Sequence, residues 1–132
     1  MRQQLGNKEG VSPDKTLNYT VPDELAANYP YLGGYWTSRK DHAELASDEG
    51  DVALVYYAKG VNIVAGGNDS SVQVFVDGKN VDSSNAGWDV NGSVARISGS
   101  KLYNVVNGNY GQHLLLLRIK GKGFRLFTFT FG

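Results

Sequence analysis

The segment Phe127–Thr128–Phe129–Thr130–Phe131 sets apolar and polar side chains in strict alternation. Successive side chains of a strand point to opposite faces, so such a run buries one face of a sheet and wets the other. A helix would spread the same residues around its circumference. Val72–Gln73–Val74–Phe75–Val76 repeats the pattern with its valines on one face. From residue 34 onward, short runs rich in Val, Ile, Tyr and Phe recur between Gly, Asn and Asp, with no stripe of helical period. The predicted strands are 34–38, 42–46, 52–58, 61–65, 71–76, 94–97, 102–106, 112–119 and 124–131. His113–Leu114–Leu115–Leu116–Leu117 is apolar on both faces. It should form a central strand, covered on its second side by other parts of the chain.

Turn chemistry supports this reading. Asp77–Gly78 and Asn91–Gly92 are two-residue hairpin signals, because both central positions of a type I′ turn need positive φ. Asn107–Gly108 marks a further turn. Residues 1–31 are polar and punctuated by Pro13, Pro22 and Pro30. They are expected to form an irregular arm packed on the module, with a short edge strand over 17–21 and one helical turn over 23–28. Residues 32–132 are then the module itself, an all-β jelly-roll β-sandwich of about eight or nine strands. Its core should include Phe127, Phe129, Phe131, Leu115, Leu117, Val72, Val74 and Ile63.

Composition narrows the function classes. Lys and Arg together number 13, as do Asp and Glu, so the formal net charge is zero. A binder of nucleic-acid backbone usually carries a basic excess, and no nucleic-acid partner is expected. No run is long and apolar enough for a membrane-spanning helix, so no insertion is expected. The chain has no cysteine, which excludes disulfides, thiolate metal sites and cysteine nucleophiles. The first ten residues lack the apolar region of a secretory signal. The expected location is the cytoplasm if the chain stands alone. It is the periplasm or cell surface if the chain is part of a longer one.

A further set of residues, taken in order, carries a resemblance. Tyr19–Thr20–Val21–Pro22, Gly34–Tyr35–Trp36–Thr37, Val76–Asp77–Gly78, Leu102–Tyr103 and the closing Phe129–Thr130–Phe131–Gly132 follow one another along the chain. In this order they resemble the galactose-binding-like jelly roll of many carbohydrate-binding modules. More narrowly, they resemble the C-terminal domain attached to thioredoxin-like domains in DipZ-type cytochrome c biogenesis proteins. The similarity is best over 32–132 and fainter upstream. The Cys-x-x-Cys of that family's redox domain is absent, so only the role of the appended module carries over. The resemblance implies sugar binding or positioning of a thioredoxin-like neighbour.

The candidate ligand-binding residues are Trp88, Asp89, Tyr103, Asn104 and Tyr110. Trp88 lies in the polar loop Ser83–Ser84–Asn85–Ala86–Gly87–Trp88–Asp89, and binding residues concentrate in loops. A sugar's C–H face stacks on an aromatic ring while amides and carboxylates hydrogen-bond its hydroxyls. The alternative for Trp88 is a plug over the sandwich end, and for the tyrosines ordinary packing with a wet hydroxyl. Trp36 is expected to point inward with Tyr35 outward, and one of Tyr56 and Tyr57 to be core.

Catalytic candidates are thin. Asp41 and His42 are neighbours that a strand would point apart, His113 reads as structural, and no Gly-x-Ser-x-Gly elbow exists. No paired carboxylates suggest glycoside hydrolysis. Glu44, Asp48, Glu49 and Asp51 have the oxygen ligands a structural calcium would use but no EF-hand spacing, and read as a solvated acidic turn. Lys120, Lys122 and Arg125 read as a small basic hairpin. No catalytic residue, metal or cofactor is assigned. The expected function is a non-catalytic binding module for carbohydrate or a small polar ligand, accessory to a thioredoxin-like redox protein. The alternative is a structural domain that docks on a thioredoxin-like domain or self-associates.

Overall fold

The computed structural model describes residues 5–132. Met1–Gln4, the start of the expected arm, lie outside the described residues. Ten strands follow one another: β1 (Thr16–Tyr19), β2 (Tyr31–Ser38), β3 (Ala43–Leu45), β4 (Glu49–Gly66), β5 (Ser70–Val76), β6 (Lys79–Asn80), β7 (Val90–Asn91), β8 (Val94–Ile97), β9 (Lys101–Lys120) and β10 (Arg125–Phe131). The described residues contain no helix. The turn expected over 23–28 is not helical; instead Asn28 takes φ 72° and its amide donates to the Val55 carbonyl at 2.8 Å. All pairings are antiparallel, in the order β1-β2-β3-β10-β4-β9-β5-β8-β7, with β2 also on β4 and β6 on β5.

Two strands dominate. β4 has 18 residues and β9 has 20. Each joins two runs predicted separately, 52–58 with 61–65 and 102–106 with 112–119. The first half of β4 pairs with β2 and with the second half of β9, which continues to β5. The second half of β4 pairs with β10 and with the first half of β9. The two strands therefore run through both layers of the sandwich. The Asn107–Gly108 turn is not formed. Ala58 pairs with Gly111 and Gly60 with Asn107, so Lys59 on one strand faces Gly108, Asn109 and Tyr110 on the other. Asn-Gly here serves a bulge inside a long strand, where the backbone must also depart from regular pleating.

The bulge changes which residues turn inward. Val52, Leu54 and Tyr56 are buried before it, and Val61, Ile63 and Ala65 after it. One core collects both sets together with Val72, Val74, Leu115, Leu117, Phe124, Leu126 and Phe129. Trp36 is buried within it, donates Nε1–H to the Gly33 carbonyl at 2.9 Å and meets Phe124 edge-on at 6.2 Å. Tyr35 faces out as expected, and of the oppositely facing pair Tyr56 is the core residue and Tyr57 the exposed one.

The last strand departs from its expectation. A register shift between Leu126 and Thr128 puts Phe127 between faces. Phe127 is only partly buried and packs on the His42 ring at 5.1 Å. Phe131 is 45% exposed, stacking on Tyr56 at 5.9 Å rather than entering the core. Phe124 and Leu126 take the interior places instead. The leucine strand is covered on its second side only in part. Leu114 and Leu116 line a shallow groove with Val21, Pro22, Leu25 and Val55.

Of the two hairpin signals, Asp77–Gly78 forms as predicted, with φ 54° and 84° between the pair Val76 and Lys79. The second turn slips by one residue. Gly92 and Ser93 carry the positive φ, and Asn91 pairs with Val94. The acidic stretch is tied across the sheet: Glu49 sits opposite Lys120 and Asp51 opposite Arg118. Their charged atoms lie 3.8 and 3.5 Å apart, and Glu44 meets Arg125 at 3.5 Å. Exposed pairs of this kind contribute about 0.2–1 kcal/mol each. Asp41 and His42 do meet, at 2.7 Å, because they lie in the bend before β3 and not on a strand.

Candidate ligand-binding site

Two features among the described residues are candidates for a ligand site. The first is a platform built on the loop from Asp82 to Asp89. Val81 is buried, and Asp82 starts the loop: its carbonyl accepts from the Asn85 and Ala86 amides, and its side chain accepts from the Ser84 amide. The loop then lies along the first half of β9. Gly87 donates to the Val105 carbonyl at 3.1 Å and Asp89 to the Asn104 carbonyl at 3.1 Å. Gly87 has to be glycine, because a Cβ there would stand 2.2 Å from the Asn104 carbonyl oxygen.

Asn104 is the hub of this platform. Its Oδ1 accepts from the Trp88 amide at 2.8 Å, and its own amide donates to Asp89 Oδ2 at 2.7 Å. Its Nδ2 donates to Asn62 Oδ1 at 2.8 Å, and Asn62 Nδ2 donates to Thr130 Oγ1 at 3.2 Å. A row of polar side chains thus crosses from β9 over β4 to β10. At its end the backbone of Trp88 is fixed while the indole is 87% exposed.

The predicted site residues divide accordingly. Trp88, Asp89 and Asn104 come together as one hydrogen-bonded unit. Tyr110 lies in the β9 bulge, 71% exposed, with its ring edge-on to Tyr57 at 5.1 Å. Tyr103 is not at the surface. It is 2% exposed, and its hydroxyl binds the Ser98 amide and the Ser98 and Gly99 carbonyls. The alternation that points Asn104 outward points its neighbour Tyr103 inward.

The second feature is a basin of about 380 Å³ at one end of the sandwich. The β5–β6 hairpin forms one wall, the β9 bulge the other, and the Asp82–Asn85 turn a third side. His113 bolts the first two walls together. Its Nδ1 lies 2.7 Å from Asp77 Oδ2 and its Nε2 lies 2.8 Å from the Asn109 carbonyl oxygen. Both partners are acceptors, so this arrangement favours the protonated ring, in which each nitrogen can donate. The Asp77 hydrogen bond accordingly raises the His113 pKa, with the Asn109 carbonyl adding to it. Burial pushes the Asp77 carboxyl up, but the bonds from His113 and from the Leu114 amide outweigh it and its pKa ends below the ordinary value.

Tyr56 lines the same basin. Its hydroxyl is buried and, among the described residues, has no hydrogen-bond partner. Burial, with Asp77 nearby, pushes this phenol up to about 12, so it stays a neutral donor. Leaving a buried hydroxyl unmatched costs roughly 1–3 kcal/mol. Sequence reading assigns one of Tyr56 and Tyr57 to the core, His113 to structure and Asp77 to a turn, and each holds that place, but it does not disclose their meeting at one basin. Nothing in their order shows that a bulge will gather them.

Solved structures of similar fold include a family two carbohydrate esterase from Clostridium thermocellum in complex with cellohexaose, at TM-score 0.57 and 18% identity. An active-site mutant of a family two carbohydrate esterase from that organism matches at TM-score 0.56 and 17% identity. Each match covers 70% of this chain and 27% of the esterase chain. At such identity the likeness is one of fold. No curated protein matches the sequence. A family described as the thioredoxin-like C-terminal domain matches it over residues 1–132.

Proposed function

As this chain belongs to the thioredoxin-like C-terminal domain family, we propose that it is a non-catalytic, carbohydrate-binding module accessory to a thioredoxin-like redox protein. The observation that carries this reading is Trp88. A large apolar ring held out in water on a braced backbone does nothing for the fold, and exposed apolar surface of this kind marks interaction sites. The indole face suits the C–H face of a pyranose. Asp89 follows Trp88 on the loop, where the Asn104 backbone amide holds its Oδ2 and leaves Oδ1 for a sugar hydroxyl. The cellohexaose complex of the esterase with a similar fold agrees with this ligand class.

The non-catalytic part of the reading rests on the basin. Its imidazole is held at both nitrogens, by Asp77 and by the Asn109 carbonyl, so the ring offers no lone pair to a substrate. A general base needs a free lone pair within reach of substrate. The test is affinity electrophoresis through gels containing cellulose, xylan, galactan or mannan derivatives, with the chain and its Trp88→Ala variant. Retardation by at least one glycan that is lost in the variant is expected. Absence of retardation by every glycan, or equal retardation of the variant, rejects the reading.

A second reading, docking on a protein partner, is favoured by the groove between the arm and the outer face of β4 and β9. Leu114 sits opposite Val55 and Leu116 opposite Ala53, with Leu114 left partly open. Light scattering, and titration with a thioredoxin-like domain, would reveal such docking. Leu114→Glu should abolish it.

A further inference from the structure

We propose that the end basin is a second ligand site, separate from the Trp88 platform, and that it takes an acidic sugar residue. Four observations carry this. The cavity, at about 380 Å³, falls within the range of roughly 300–1,000 Å³ usual for small-molecule sites. At its side the Tyr56 hydroxyl is buried and lacks a partner among the described residues. A neutral donor in that position wants an acceptor, and a ligand oxygen supplies one.

The walls are also held in place before any ligand arrives. His113 joins the hairpin to the bulge, and the Asn107 amide donates to the Asn85 carbonyl at 2.9 Å to hold the third side. A preformed polar cavity loses little freedom on binding.

Charge then selects the ligand. Lys59, opposite the bulge, and Lys79, in the hairpin, both line the basin. No ion pair ties either ammonium to a carboxylate among the described residues. The negative groups are already engaged. Asp77 is bonded to His113 and to the Leu114 amide, and Asp82 accepts from the Ser84 amide and hydroxyl. The two lysines balance the two carboxylates in formal charge, but only the ammoniums are left unengaged by the walls of the basin. A carboxylate seated between the lysines, with hydroxyls toward Tyr56, Asn80 and Asn109, matches this arrangement. Trp88 is not among the lining residues, so this site stands whether or not the platform binds.

Calorimetric titration of the full chain with trigalacturonate and with the uncharged galactose trimer tests the proposal. Trigalacturonate should bind at least about tenfold tighter, the worth of one charge-assisted hydrogen bond. Lys59→Gln combined with Lys79→Gln should erase that preference. Tyr56→Phe should weaken trigalacturonate several-fold with the unfolding temperature unchanged or raised. Trp88→Ala should leave trigalacturonate binding as it was, which separates this site from the platform. Amide resonances of Asp77 and Asn109 should shift during the titration. No saturable binding, equal affinity for the two trimers, an unaffected double variant, or loss of binding in Trp88→Ala overturns the proposal.

Discussion

Asp77 and His113 stand 2.7 Å apart, joining a hairpin turn to a strand 36 residues later. The pair makes stability depend on pH in two directions. His113 has its pKa raised above the ordinary 6.5. Its contribution is complete below that value and fades as pH rises through the raised one. Asp77 has its pKa lowered from 3.8. Its contribution is complete above 3.8 and fades as pH falls through the lowered one. Thermal unfolding should show a plateau in the mildly acid range and a decline as pH rises past about 6.5. His113→Gln should remove the decline on the alkaline side; an identical profile in the variant would contradict the assignment.

Asn104→Ala removes the acceptor for the Trp88 amide and the donor to Asn62. The expected cost is about 1–2 kcal/mol, measured by denaturant unfolding. Glycan retardation should weaken as well, since the indole loses its brace. Trp88→Ala itself should alter stability by no more than about 0.5 kcal/mol, as exposed positions do.

Gly87→Ala forces a Cβ against the Asn104 carbonyl oxygen. The loop must lift from β9, breaking the Gly87–Val105 and Asp89–Asn104 bonds. A loss of roughly 2–4 kcal/mol is expected. Amide exchange should speed up at residues 85–89 before it does in β5. Protection of those amides at the original level would refute the account.

Phe124 and Phe131 should separate sharply. Phe124 is fully buried against Trp36, so its change to alanine should cost about 3–5 kcal/mol. Phe131 lies half outside the core and the same change should cost about 1 kcal/mol. Equal losses would mean that the terminal strand does not end as described.

What the sequence discloses is set by the range of the interaction concerned. Alternation acts between neighbours, so Trp36 inward with Tyr35 outward could be read directly, and so could the opposite facing of Tyr56 and Tyr57, though not which of them is buried. It fails wherever an extra residue enters a strand. Phe127 breaks the pattern of β10, and three bulge residues face Lys59 across β9 and β4. Asn-Gly signals a departure from the pleat but not its kind, so Asn107–Gly108 reads as a turn. Of the platform, Trp88, Asp89 and Asn104 were legible because a polar loop and a strand face can be recognised locally. The basin was not, since Asp77, His113 and Tyr56 meet only through the pairing of distant strands.

Because β4 and β9 each belong to both layers, neither layer can peel away without tearing the other. Melting of this chain should be all-or-none, with no half-open species. Tension applied at one rim is carried along both long strands to the other. A neighbour fastened anywhere on this domain would be gripping a single stiff block.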